Sequence, residues 1–272
     1  MKSKSAAFPY LVWMAIFIIV PTALVLVFAF TDKSGRFTMR NLEEVGQYSN
    51  VFLRSIWLGA LATLISLVLG YPLAYIISKA RARRQNVLIM LVMLPMWMNF
   101  LLRTYAWMTL LEDSGIINHV LGFFGLPPVH MINTQGAVVL GMVYNYIPYM
   151  ILPLYSVLTK IDGSVVEAAQ DLGADARRVF WRVTFPMSMP GVISGVTMVF
   201  VPAVSTFIIS KMLGGGGNLL IGDLIDMQFL GSAYNPNLGS AISLVLMVLI
   251  LICMGIMNQF DENGATEGGV MV

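Results

Sequence analysis

The chain has 272 residues, of which 58% are hydrophobic and only 11% charged, with a formal net charge of +2. A soluble domain runs about 45–50% apolar and about 25% charged, so that class is excluded, and intrinsic disorder with it. The near balance of charge leaves no basic field to neutralise phosphates, which removes nucleic acid as a partner, and the single Cys253 removes intrachain disulfides and cysteine-rich metal sites.

A helix rises 1.5 Å per residue, so crossing a hydrocarbon core of about 30 Å takes about 20 mostly apolar residues. Six stretches qualify, at about 8–30, 55–78, 87–111, 135–159, 191–210 and 238–260. Lys2 and Lys4 precede the first run, as they would in a signal peptide. That run is longer than the 7–15 residues of a signal-peptide core, and no small-residue cleavage site follows it before Thr31 and Asp32, so it reads as a retained anchor. Short connectors rich in Gly and Pro, at 122–128 and 214–217, leave no room for a soluble domain. The expected architecture is one all-α polytopic domain of six transmembrane helices.

Short loops rich in Lys and Arg face the cytoplasm. Lys2, Lys4, Lys79, Arg81, Arg83, Arg84, Lys160, Arg177, Arg178 and Arg182 fall on one side. Only Lys33, Arg36, Arg40 and Lys211 fall on the other. Both termini and the connector at 160–190 are therefore expected on the cytoplasmic side.

That connector, KIDGSVVEAAQDLGADARRVFWRVTFPMSMPG, is long and carries helical signals. Ser164 and Glu167 have capping-box spacing, and Val165, Val166, Ala168, Ala169 and Leu172 continue with helical periodicity. Gly173 stands where a C-cap needs a left-handed residue, Asp175 suits the start of a second helix, and Pro186 and Pro190 are expected to end it. Small side chains at Ala168 and Ala169 permit close approach by another protein. An amphipathic helix resting on lipid headgroups fits the same pattern.

Glu167-Ala168-Ala169, Gly173 four residues on, and Pro186 further along resemble the EAA loop of bacterial ABC-importer permeases. LGYPLAY at 69–75, LPMWMNFLLRTYAW at 94–107 and NLLIGDLIDMQFL at 218–230 resemble the spermidine/putrescine permeases of that family. The basic tail common in the family is absent from DENGATEGGVMV. The resemblance implies a type I ABC importer permease fold in the bacterial inner membrane. It implies as partners two ATP-binding cassette subunits, a second permease and an extracytoplasmic polyamine-binding protein. The loop would be the coupling helix, with Glu167 as cap, Ala168 and Ala169 in the ATPase cleft, and Gly173 at the turn. The chain has no G-x-x-x-x-G-K-[ST] motif, so no cofactor is expected on it, and ATP with Mg belongs to the partner. The outer loops 31–50 and 112–134 are expected to meet the binding protein.

Several polar residues interrupt the spans. On a continuous third helix Asn99, Arg103 and Trp107 share one face. Arg103 costs about 2.5–3.5 kcal/mol at a helix centre. Two readings stand for it: a path-lining residue, or a buried guanidinium bonded to carbonyls or to a partner's carboxylate. A cation is an odd lining for a polycation, which favours the second. Asp223 and Asp226, three apart in an apolar stretch too short to span, would either attract protonated amines or be solvated loop acids. Trp97, Tyr149 and neighbouring aromatics offer cation–π faces, or simple bundle packing. His119 and His130 have no paired carboxylate or cysteine nearby in sequence, so neither a metal site nor a catalytic dyad is expected. Other solutes for an ABC permease (ferric ion, an oxyanion, an aminophosphonate) and an ATPase-independent transporter are the alternatives.

Overall fold

A computed structural model of the protein describes residues 4–231 and 233–267; Lys2 and the last five residues of the tail lie outside them. Among the described residues the chain is all-helical apart from one isolated bridge between Thr31 and Phe37. We label the helices α1 (Pro9–Ala29), α2 (Arg40–Val45), α3 (Ser49–Ser78), α4 (Ala82–Trp97), α5 (Phe100–Leu111), α6 (Ile116–Phe123) and α7 (Gln135–Leu158). There follow α8 (Gly163–Asp171), α9 (Ala176–Met187), α10 (Met189–Ser205), α11 (Ile208–Leu213), α12 (Ile221–Phe229) and α13 (Pro236–Glu267). Four stretches are long and apolar enough to cross a membrane unaided: α1, Arg40–Ser78, α7 and Pro236–Met257. Two bent pairs bring the number to six if each is one span: Ala82–Trp97 with Phe100–Phe123, and α9 with α10.

The third apolar run is thus not the straight helix expected at 87–111. It turns by 87°. Pro95 sits in the last turn of α4, Met98 is extended, and the Asn99 side chain accepts from the backbone N–H of Leu101 (2.8 Å) and Leu102 (3.4 Å). Asn99 therefore starts a new helix, an arrangement that frees it from any face shared with Arg103. The fifth run also differs from 191–210. Thr206 is extended and separates α10 from α11, and a Cβ on Gly222 would come within 2.5 Å of the Ser205 and Thr206 carbonyls. Glycine at 222 is what lets α12 approach those carbonyls at the break.

The centre of the bundle is α3, α7 and α10. Leu58 and Ala62 pack with Val138, Met142 and Ala203 in one cluster, and Tyr71 and Ala74 with Met150, Leu154 and Val192 in another. Close approach depends on glycine: a Cβ on Gly59 would lie 2.7 Å from Val204 Cγ2, and one on Gly195 2.7 Å from Met150 Sδ. Small residues are how helices meet in lipid, where apolar burial supplies little drive. The outer belt is apolar and exposed, with Phe17, Leu64, Val68, Ile76 and Leu251 facing outward. None of the most apolar part of α1 is buried within the chain. Lipid is the medium such a surface requires. The far end of α1 is held by amides: Asn41 Nδ2 donates to Ala29 O (3.1 Å) and Thr31 O (2.8 Å), and Asn237 Nδ2 to Thr31 O (2.7 Å). These satisfy carbonyls that a helix end leaves without partners.

Candidate coupling site

The segment 160–190 folds into two helices across one end of the bundle. Asp162, not Ser164, caps α8: its carboxylate accepts the Ser164 backbone N–H at 3.0 Å. This corrects the expected Ser164–Glu167 capping box. An aspartate in extended geometry two residues earlier offers both a cap and a negative charge to the helix N-terminus, so the helix starts there. The Ser164 backbone N–H, with its hydroxyl second, holds the Asp162 carboxyl below the usual carboxylate range. Glu167 is then a mid-helix residue with its side chain exposed beside exposed Ala168, while Ala169 is half-buried.

Gly173 has φ +82°, its N–H donates to Gln170 O at 2.8 Å, and the Ala174 N–H donates to Ala169 O at 3.1 Å. These two bonds form a Schellman motif, which terminates α8 and turns the chain. The turn leaves Leu172 90% exposed. Leu172 continues the apolar periodicity of the helix in sequence; at the cap, past the last helical residue, it is turned outward. Asp175 accepts the Arg178 N–H at 2.9 Å and begins α9. Pro186 lies within α9 and does not end it. The break comes at Ser188, where α9 and α10 meet at 62°. Pro190 has no N–H to give the Pro186 carbonyl and crowds it, which is what interrupts the helix.

The aromatic residues of α9 rest on α3. Phe180 meets the edges of Tyr71 (5.7 Å between centroids) and Tyr75 (6.0 Å), and Phe185 lies 5.7 Å from Tyr71. The Tyr71 hydroxyl is 2.8 Å from Ser188 Oγ. At the same end Gln85 donates to Ser78 O and Ala80 O and accepts from the Tyr155 hydroxyl. The second-to-fourth spans are thereby tied together where α8 and α9 cross them.

The polar residues of the spans do not converge on one exposed site. Arg103 is only 8% exposed, its guanidinium lies 5.9 Å from the Phe100 ring, and its Nε and Nη1 have no hydrogen-bond partner among the described residues. Its carbonyl-bonded reading is therefore not met within the described residues. Trp107 packs edge-on against Tyr144 at 5.3 Å, Trp97 is exposed on the other side of the bend, and Tyr149 is partly exposed. Asp223 and Asp226 have different roles. Asp223 is buried, and its Oδ2 accepts the Leu220 N–H at 2.8 Å, closing the start of α12. Asp226 pairs with Lys211 at 3.2 Å. Neither is a solvated loop acid. Asp113 Oδ1 sits 2.8 Å from His130 Nδ1, so His130 does have a carboxylate partner, supplied by a loop closure invisible in sequence. No group of three or more His, Cys, Asp or Glu suited to a metal occurs among the described residues. Asn145 is buried in α7 with Oδ1 unpartnered among the described residues, and in the sequence it shows only as an amide inside an apolar run.

Two cavities lie elsewhere on the bundle. One, of about 640 Å³, is an apolar groove between α3 and α7 lined by Trp57, Leu61, Ile65, Val139 and Val143. The other, of about 570 Å³, is polar and is lined by Asp32, Lys33, Arg40, Glu44 and Asn237.

Residues 66–262 match the family described as "binding-protein-dependent transport system inner membrane component". The chain is 38% identical over 250 residues to the spermidine/putrescine transport system permease protein PotB of Haemophilus influenzae, covering 88% of this chain and 87% of that one. To its Escherichia coli counterpart it is 35% identical over 248 residues, with 88% and 90% covered. Its fold is similar to a chain of a bacterial ABC transporter involved in import of the acidic polysaccharide alginate, with a TM-score of 0.81 at 17% identity, covering 95% and 94%. It also resembles a chain of the inward-facing MetNI methionine ABC transporter, with a TM-score of 0.59 at 16% identity, covering 79% and 95%. The chain is a multi-pass inner-membrane protein with the type I ABC importer permease fold, and it belongs to the family of binding-protein-dependent transport system inner membrane components.

Proposed function

We propose that the chain is the permease subunit of an ATP-driven importer of polyamines, spermidine and/or putrescine. The observation that carries this reading is the 38% identity, spread over 88% of the chain, to a permease named for those substrates. In this reading the chain pairs with a second permease, two ATP-binding cassette subunits bind below, and a polyamine-binding protein docks above. The cytoplasmic side is the 160–190 side, and both termini lie there. ATP and Mg are held by the cassette subunits and not by this chain.

The mechanism follows from the shape of the coupling site. Exposed Glu167, Ala168 and Leu172 form a short ridge, with Ser164 on its first turn and Gly173 closing it. Such a ridge suits insertion into a cleft of the ATPase. Closure of the ATPase dimer on ATP then moves two such ridges together, and the spans exchange inward- and outward-facing states. Asp226, beside Lys211, is the carboxylate placed to meet an amine, whereas buried Asp223 serves α12 as its cap. Trp97, Asn99 and Tyr149 are exposed candidates for the path, and buried Arg103, with two nitrogens lacking acceptors among the described residues, is a candidate to meet acceptors on the second permease.

The test is to co-purify the chain with its second permease and ATPase and to measure ATP hydrolysis with binding protein loaded with spermidine or putrescine. Stimulation by the amine-loaded protein is expected. Stimulation only by a binding protein carrying an oxyanion, ferric ion or aminophosphonate would overturn the substrate assignment.

A further inference from the structure

The Ser188 bend is a mechanical weak point. It lies between α9, which carries α8, and α10, which is a central span, and Pro190 leaves it short of a helical hydrogen bond. A displacement of α8 arriving through α9 would be absorbed there by bending unless something fixed the angle. The side chain of Ser188 is fully buried and donates to Phe185 O at 2.8 Å. A serine hydroxyl has one proton, so with that proton committed the Tyr71 hydroxyl is the donor to Ser188 Oγ. The chain of bonds runs from Tyr71 O–H to Ser188 Oγ and from Ser188 O–H to Phe185 O in α9, while the Val192 N–H of α10 donates to Ser188 O at 3.1 Å, so the bend residue is bonded to α3, α9 and α10. Tyr71 is itself only 7% exposed, and its ring packs against both Phe180 and Phe185 of α9, which also touch each other.

We propose that Tyr71 and Ser188 are a positioning pair that stiffens the bend and joins α9 to α3, so that movement of α8 reaches both α3 and α10. Three elements meet at this one hydroxyl pair: the helix that carries the coupling ridge, the span that follows it and the span beside it. The π turn at Phe180–Thr184 supports the assignment, because its extra residue per turn directs both Phe180 and Phe185 at the same tyrosine. The inference rests on the reading that α8 docks an ATPase.

The experiment uses the full complex reconstituted in proteoliposomes with ATPase, second permease and loaded binding protein. Tyr71→Phe removes the hydroxyl and keeps the ring; Ser188→Ala removes the acceptor. Each variant, and the double variant, is scored for ATPase co-purification, basal ATP hydrolysis, stimulation by binding protein, and polyamine transported per ATP. Each single variant is expected to retain assembly and basal hydrolysis while transport per ATP falls about threefold to tenfold, the shift that loss of one buried hydrogen bond makes in a two-state equilibrium. The double variant is expected to fall no further than Ser188→Ala alone, which already loses both the Tyr71 bond and the bond to Phe185 O. Unchanged transport per ATP in both assembled single variants would overturn the proposal. So would a fall matched by an equal loss of assembled complex, which marks a purely structural role. Failure of the ATPase reading looks different: the unaltered chain, or one carrying Glu167→Lys, would then show no dependence of transport on ATPase docking.

Discussion

The Asp162 carboxylate accepts the backbone N–H of Ser164 at 3.0 Å, and this bond decides where the coupling helix begins. It exposes Glu167 along the ridge and leaves the Schellman turn at Gly173 to end the helix at Asp171, with Leu172 as its C-cap.

The cap is expected to be pH-sensitive. Its folded carboxyl sits below the usual carboxylate range, so its contribution is fully present above the ordinary carboxylate pKa and fades as pH falls through the lower folded value. Asp162→Asn should keep the cap and remove that acid dependence, because asparagine caps as well as aspartate. Asp162→Ala should weaken ATPase binding at every pH. Co-purification of the ATPase across an acid series measures both.

Close helix approach at Gly59 predicts a size limit. Gly59→Ala should lower stability by about 1–3 kcal/mol, because its Cβ meets Val204 in a packed core. Gly255→Ala, with nothing within 4 Å of the new methyl, should be neutral or slightly stabilising. Thermal unfolding of the two variants in detergent makes the comparison.

Buried Arg103 holds two nitrogens without a partner among the described residues. Arg103→Met, which keeps the length and removes the charge, should leave the isolated chain as stable as before or more so, because an unmatched buried cation is costly. Assembly with the second permease should fall if the missing acceptors come from it. Melting temperature of the chain alone and yield of the complex separate these effects.

Asp223 and Asp226 should part company. Asp223→Ala is expected to destabilise by about 1–3 kcal/mol, since the Leu220 N–H is left buried and unpaired. Asp226→Asn breaks an ion pair whose lysine is largely exposed, so stability should change by less than about 1 kcal/mol. Its effect should instead appear as slower polyamine uptake, largest at low ionic strength.

Much of this architecture was legible in the chain. Apolar length alone located the long helices α1, α7 and α13, and the polar stretch 160–190 stood out as the place where helices leave the membrane pattern. What was not legible depends on geometry that composition does not carry. Asn99 reads as a polar interruption, yet it becomes a cap because Met98 and Asn99 leave the helical region together. Pro186 reads as a stop, but a helix tolerates proline when the next turn compensates, and the break falls at Ser188 instead. His130 and Asp113 are seventeen residues apart and meet only because the loop after α6 folds back, with Asn118 bonded to Val129 N and O. Asp223 looked available to a ligand because nothing in NLLIGDLIDMQFL says that its carboxylate turns back on its own helix.

Transport itself is the most direct test of the central claim. Proteoliposomes holding the complete complex, with ATP enclosed on the 160–190 side and loaded binding protein outside, are given labelled spermidine and putrescine. The account predicts accumulation of at least one of them that requires ATP, requires the binding protein and is lost with Glu167→Lys. Accumulation that proceeds without ATP or the ATPase, or none of either amine where another solute is carried, would contradict it.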